Sequence, residues 1–98
     1  MSMKIKQYKA TKKQQVFDIL DKQGYILDEQ SVKIFGVAKM YNVGEYARQW
    51  KRLQADRKFF KGKKIVEKKA IRWKHLVRLD GQENYYYVGR NFFDEINL

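Results

Sequence analysis

The apolar residues of this 98-residue chain change their spacing once, near Gly62, and that change constrains the fold more than any other feature. Before Gly62 they recur at helical intervals. After it they alternate with polar residues, as a half-buried strand requires. Helices first and strands afterwards imply an α+β domain.

Residues 1–10 interleave Lys with Ile5 and Tyr8 and read as a basic N-terminal arm, leaving 11–98 as a single domain. Thr11 stands three residues before Gln14, a capping-box spacing that opens a helix. Val16, Ile19 and Leu20 follow on one face, widened by Phe17, and Gly24 is a suitable stop, so the first helix is expected over 12–23. Tyr25 to Leu27 read as a short extended piece. Asp28 is the expected N-cap of a second helix running to about Tyr41 on Val32, Ile34, Phe35, Val37, Ala38 and Tyr41. The segment "SVKIFGV" also alternates like a strand, but its length favours helix. "YNVG" then supplies a turn. A third helix follows from near Gly44 and ends before Gly62. Its inward stripe is Val43, Ala47, Trp50 and Leu53. Glu45, Arg48, Gln49 and Arg52 lie on the opposite side.

Beyond Gly62, Ile71, Trp73, Val77 and Leu79 alternate with Arg72, Lys74, Leu76 and Arg78, which predicts one strand with Trp73 facing inward. Asp80-Gly81 marks a turn into a second strand, Tyr85 to Val88. "KKIVEKK" (63–69) reads as a further, charge-protected edge strand. "NFFDEINL" suits a short C-terminal helical turn. Alternation sends Tyr86 to one face and Tyr85 and Tyr87 to the other.

This order resembles the winged helix-turn-helix family over roughly residues 11–89. The most specific part is "VAKMYNVGEYARQWKRL", with Ala38 as the small residue where two helices cross and Asn42-Val43-Gly44 as the turn. One departure stands out: the apolar positions Ala47 and Trp50 fall four and seven residues after Val43, where the family's pattern has five and eight. The resemblance implies three helices followed by a β-hairpin wing, and a third helix that enters the major groove of DNA.

Charge points to the same class of partner. The chain carries 22 Lys and Arg against 11 Asp and Glu, a net +11. Thirteen of those cations lie between Arg48 and Arg78, opposed only by Asp56 and Glu67, so that block alone accounts for the excess. A surface of this kind gains affinity for nucleic acid by releasing counterions. Arg forks onto guanine and Gln onto adenine. Arg48, Gln49 and Arg52, with Glu45 as an acceptor from cytosine, are therefore the base-contact candidates. Lys51, Arg57, Lys58, Lys63, Lys64, Arg72, Lys74 and Arg78 are the phosphate-contact candidates.

Catalysis has little material. His75 is the one histidine and sits between hydrophobic neighbours. The carboxylate pairs Asp18 and Asp21, Asp28 and Glu29, and Asp94 and Glu95 occupy places where helix starts and solvated faces want acids. No Gly-rich phosphate loop or nucleophile elbow is present. No enzyme activity, metal or cofactor is expected. There are no cysteines, which makes an intracellular, cytoplasmic setting the expectation, and no run approaches the roughly 20 apolar residues of a membrane span.

The leading expectation is thus sequence-specific binding of double-stranded DNA by a small regulator or DNA-processing accessory factor. Homodimerisation and a protein partner are both compatible with the sequence. The alternatives are RNA or single-strand binding by the basic, Tyr-rich hairpin, and a protein-interaction module on the same scaffold.

Overall fold

A computed structural model describes residues 10–36 and 40–98. Residues 1–9 of the basic arm expected over 1–10, and the helix-crossing role of Ala38, lie outside the described residues. The elements are α1 (Lys12–Gln23), α2 (Asp28–Phe35), α3 (Met40–Phe60), β1 (Ile65–Ile71), β2 (Lys74–Leu79), β3 (Tyr85–Tyr87) and α4 (Arg90–Glu95). Helices come first, then a three-stranded antiparallel sheet in the order β1-β2-β3, then a short C-terminal helix. The chain divides into two compact units, Met1–Trp50 and Lys51–Leu98.

In the first unit α1 begins as its sequence implies. Thr11 is the N-cap, and its hydroxyl accepts from the Gln14 backbone N–H at 3.1 Å. Val16, Phe17 and Leu20 are buried. The α1–α2 connection is held by side chains, with Gln23 Nε2 donating to Gln30 Oε1 at 2.9 Å. Gln30 Oε1 in turn accepts from the Leu27 backbone N–H at 2.8 Å. The N-cap of α2 is therefore Leu27 and not Asp28. Tyr25 to Leu27 form no strand. Trp50 Nε1 donates to Asp21 Oδ1 at 2.7 Å, fastening the middle of α3 to α1.

The expected boundary between the second and third helices moves. The second helix stops at Phe35, not near Tyr41, because Gly36 takes the left-handed conformation (φ 86) and donates to the Val32 carbonyl. Any other residue there would be strained. The residues Asn42-Val43-Gly44, expected as the turn, lie inside α3. Val43 is buried and Tyr46 stacks on Phe35 at 6.4 Å, so tertiary packing overrides the poor helix propensity of Asn and Gly. Of the expected inward stripe, Val43 and Leu53 are buried while Ala47 and Trp50 are half-buried.

The second unit buries Leu53, Phe60, Val77, Leu79, Val88 and Phe92. Phe60 stacks on Phe92 at 5.3 Å and meets Tyr86 edge-on at 5.8 Å. Asp56 is buried too, and its carboxylate accepts from Gly89 N at 2.8 Å and from Arg52 Nε at 3.1 Å. A Cβ at Gly89 would lie 2.9 Å from Arg52 Cγ, so this close approach needs glycine. Lys68 Nζ donates to the carbonyls of Phe93 and Ile96, at 2.7 and 3.1 Å, satisfying the C-terminal end of α4.

The single strand expected over 71–79 is broken. Ile71 pairs with Lys74, leaving Arg72 and Trp73 as a two-residue hairpin loop. Trp73 is therefore not an inward residue. The strand before the loop is the expected edge strand, placed at 65–71 instead of 63–69. A register shift between Ile65 and Glu67 interrupts β1, so Ile65 pairs with Leu79 while Glu67 pairs with Arg78.

Candidate nucleic-acid interface

Residues directly opposite each other in antiparallel strands share a face. Pairing therefore sorts the sheet of the second unit. Val77 opposes Lys68 and Tyr86, and His75 opposes Ala70. That is the inner face, where His75 meets the Phe93 ring at 5.0 Å. Leu76 opposes Lys69 and Tyr87, Arg78 opposes Glu67 and Tyr85, and Lys74 opposes Ile71. These residues form the outer face. Its rings are open: Tyr87 is 64% exposed and Tyr85 38%, with Ile71 exposed beside Lys74.

Polar contacts hold part of this face in place. Glu67 Oε1 accepts from Arg78 Nε and from the Tyr85 hydroxyl, each at 2.9 Å. Those two hydrogen bonds, the Arg78 one foremost, hold the Glu67 carboxyl below its ordinary range. The same bond to Glu67 raises the Arg78 guanidinium. Arg78 Nη1 also donates to the Gln82 carbonyl at 2.9 Å. Lys69 Nζ sits 4.6 Å from the Tyr85 ring centroid, a cation–π arrangement that keeps a positive charge over the face.

Arginine and lysine of the second unit differ in their ion pairing. The unit Lys51–Leu98 carries 13 Lys and Arg against 6 Asp and Glu. Arginines take four of those acids. Arg52 pairs with Asp56, Arg57 with Glu95, Arg78 with Glu67 and Arg90 with Asp94. No salt bridge among the described residues engages a lysine of this unit. The positive surface of this unit without ion pairs among the described residues is therefore lysine together with Arg72.

The base-contact candidates are not assembled into one open face. Arg48 is ion-paired with Glu45 one turn earlier, though its side chain stays 70% exposed. Gln49 is half-buried. Arg52 is tied down, since beyond Asp56 it donates from Nη2 to the Tyr87 carbonyl at 3.3 Å. Among the phosphate-contact candidates, Lys51, Lys58, Lys64, Arg72 and Lys74 are exposed. Lys63 bends back to the Phe59 carbonyl at 2.8 Å. Arg57 forks onto both Glu95 oxygens at 2.9 and 2.8 Å. The shared face expected for Arg72, Lys74 and Arg78 holds for Lys74 and Arg78, while Arg72 lies in the loop between strands.

Sequence reasoning left Lys69, Ile71 and Trp73 off the candidate site and gave the tyrosines only to the alternative of a basic, Tyr-rich hairpin. Tyr85 and Tyr87 had a signal, strict alternation beside Lys and Arg. Trp73 had none, because a hairpin loop of Arg-Trp lacks the Gly or Asn that marks such turns.

Among the described residues, no three of His, Asp and Glu converge in a way that could hold a metal ion. Asp21 serves Trp50, and Glu95 and Asp94 serve arginines. Among the described residues, no helix is long and apolar enough to cross a membrane. No family model matches the chain, and neither a curated protein nor a solved structure matches it.

Proposed function

We propose that this protein binds single-stranded nucleic acid on the outer face of its β-sheet. The observation that carries this reading is the open pair Tyr85 and Tyr87 on a face whose uncompensated charge is Lys69 and Lys74. Every nucleobase has a π-face, so an exposed aromatic platform holds successive bases by stacking, and lysines along it track the backbone. The ionic fastening of Tyr85 through Glu67 pre-orients one ring, which lowers the entropy lost on binding. The net charge of +11 supplies the long-range attraction.

The duplex reading, in which a winged helix-turn-helix places its third helix in the major groove, retains one favourable observation: the exposed Arg48 guanidinium. An i,i+3 surface pair such as Arg48–Glu45 is worth well under about 1 kcal/mol, so a phosphate or guanine would displace Glu45 readily. Against it stand the engaged Arg52 and the half-buried Gln49.

A competition assay separates the two readings. A labelled single strand is bound first, then challenged with unlabelled single-stranded DNA, RNA and duplex at fixed salt. The single strands compete best if the sheet is the site, and Tyr85→Ala with Tyr87→Ala abolishes most of the binding. Stronger competition by duplex, lost on Arg48→Ala and not on the tyrosine changes, would sink the sheet reading.

A further inference from the structure

The tip of the β1–β2 hairpin carries a combination that the fold does not need. The loop is two residues long, and its first residue, Arg72, has φ 59. That conformation is ordinary for Gly or Asn and disfavoured for Arg. Glycine would relieve the strain, yet a long cationic side chain stands there. The next residue, Trp73, is 83% exposed, the most open large hydrophobic of the chain among the described residues. Lys74 is exposed beside it. Arg72 is also the arginine of this unit that forms no salt bridge among the described residues.

The tip overhangs the platform. β3 pairs with Leu76, Val77 and Arg78, and Val88 N donates to the His75 carbonyl at 2.9 Å, so the hairpin continues past the third strand through Lys74 to the loop. A two-residue loop has no walls. It cannot enclose a single flipped base, which needs a pocket with contacts on both faces. It can present one flat apolar surface with a cation on either side.

We propose that Trp73 stacks on the last base pair of a duplex where a single strand leaves it, with Arg72 and Lys74 on the flanking phosphates. The proposal rests on the single-strand reading of the sheet. The strand lies on Tyr85 and Tyr87, and the tip beyond β3 meets the place where pairing begins. An exposed end of a base stack is an apolar face, one base of which an indole can cover, and cations beside an apolar wedge are what a step between phosphates accepts. The partner is thus a nucleic acid with a single-strand to duplex junction.

The test measures binding of the full chain to three oligonucleotides: a single strand, a blunt duplex, and a duplex with a single-stranded overhang. 2-Aminopurine is placed at the last pair of the overhang duplex. The wild type is expected to favour the overhang duplex and to quench the probe. Trp73→Ala loses roughly tenfold on that ligand and removes the quenching, while single-strand affinity changes less than about twofold. Trp73→Phe recovers most of the loss. Arg72→Gly suits the turn better, so it raises thermal stability while lowering junction affinity; a purely structural arginine would not give opposite signs. If Trp73→Ala binds overhang and single strand in the wild-type ratio, the junction inference falls and the sheet reading stands. If no oligonucleotide is bound, both fall. If Trp73 instead governs capture by anionic lipid vesicles and leaves oligonucleotide binding unchanged, the inference is overturned in favour of a membrane surface.

Discussion

Tyr86 and its neighbours Tyr85 and Tyr87 are the same residue with opposite employment. Tyr86 faces inward, its ring 5.8 Å from both Phe59 and Phe60, and its hydroxyl donates to Gln82 Oε1 at 2.7 Å. Tyr85 and Tyr87 face outward over Lys69 and Leu76, with one hydroxyl fixed on Glu67 and one ring open. The inner face of the sheet is closed by aromatic edges and buried aliphatic residues. The outer face carries the Tyr87 ring, 64% exposed, and the Tyr85 ring with the Lys69 ammonium over it. Pleating alone makes this division, since neighbouring residues of a strand must point to opposite faces. Side-chain chemistry therefore says less about a residue's role than its parity along the strand.

The comparison can be broken by substitutions that treat the two faces alike. Phe60→Ala should lower the stability of the Lys51–Leu98 unit by about 3–5 kcal/mol, read by urea denaturation. Tyr87→Ala should change it by less than about 0.5 kcal/mol. Equal losses would mean that the outer face is structural after all. Asp56→Ala should follow, costing about 1–3 kcal/mol, because Gly89 N–H is left without its acceptor in a half-buried place.

Tyr87→Ala should nonetheless weaken single-strand binding roughly tenfold in a fluorescence anisotropy titration. Lys69→Ala should act mainly through charge, flattening the dependence of log affinity on log salt by about one ion. An unchanged slope would remove Lys69 from the interface. The smallest effect concerns pH. Glu67 is depressed in the folded protein by Arg78 and Tyr85, so its contribution is present above the ordinary value of 4.5 and is lost as pH falls through the depressed value. Glu67→Gln should remove that part of the acid sensitivity in a series of melting curves. It should also loosen the Tyr85 ring without altering Tyr86, which a Tyr-resolved NMR spectrum would register.

Much of this was legible in the residues. The first helix is written in Thr11, Gln14 and Gly24, and the opposed orientation of Tyr86 against Tyr85 and Tyr87 follows from parity. The boundary between the second and third helices was not legible because two turn signals, Gly36 and Asn42-Gly44, lie within nine residues. Only packing of Val43, and of Tyr46 on Phe35, decides between them. Trp73 was misplaced because Arg72 adopts a backbone conformation that its side chain disfavours, a choice invisible to propensity. The ion pairs of the arginines were hidden for a related reason. The arginines' value as base readers depends on which acids the fold brings near, and Asp56, Glu67, Asp94 and Glu95 reach them through tertiary structure or helix geometry.

The interruption in β1 sets what the chain can tolerate losing. Ile65 opposes inward Leu79, yet Glu67, two residues on, opposes outward Arg78, so Val66 is slack in the strand. Deleting the Val66 codon should leave every pairing from Glu67 to Ile71 intact and straighten the hairpin at most. Deleting the Lys68 codon should instead draw Glu67 opposite Val77, turning a carboxylate into the core and stripping Arg78 of its counterion. Neighbouring single-codon deletions would then have opposite fates, one silent and one lethal to the fold, and the length of this strand would be under tighter selection on one side of Glu67 than on the other.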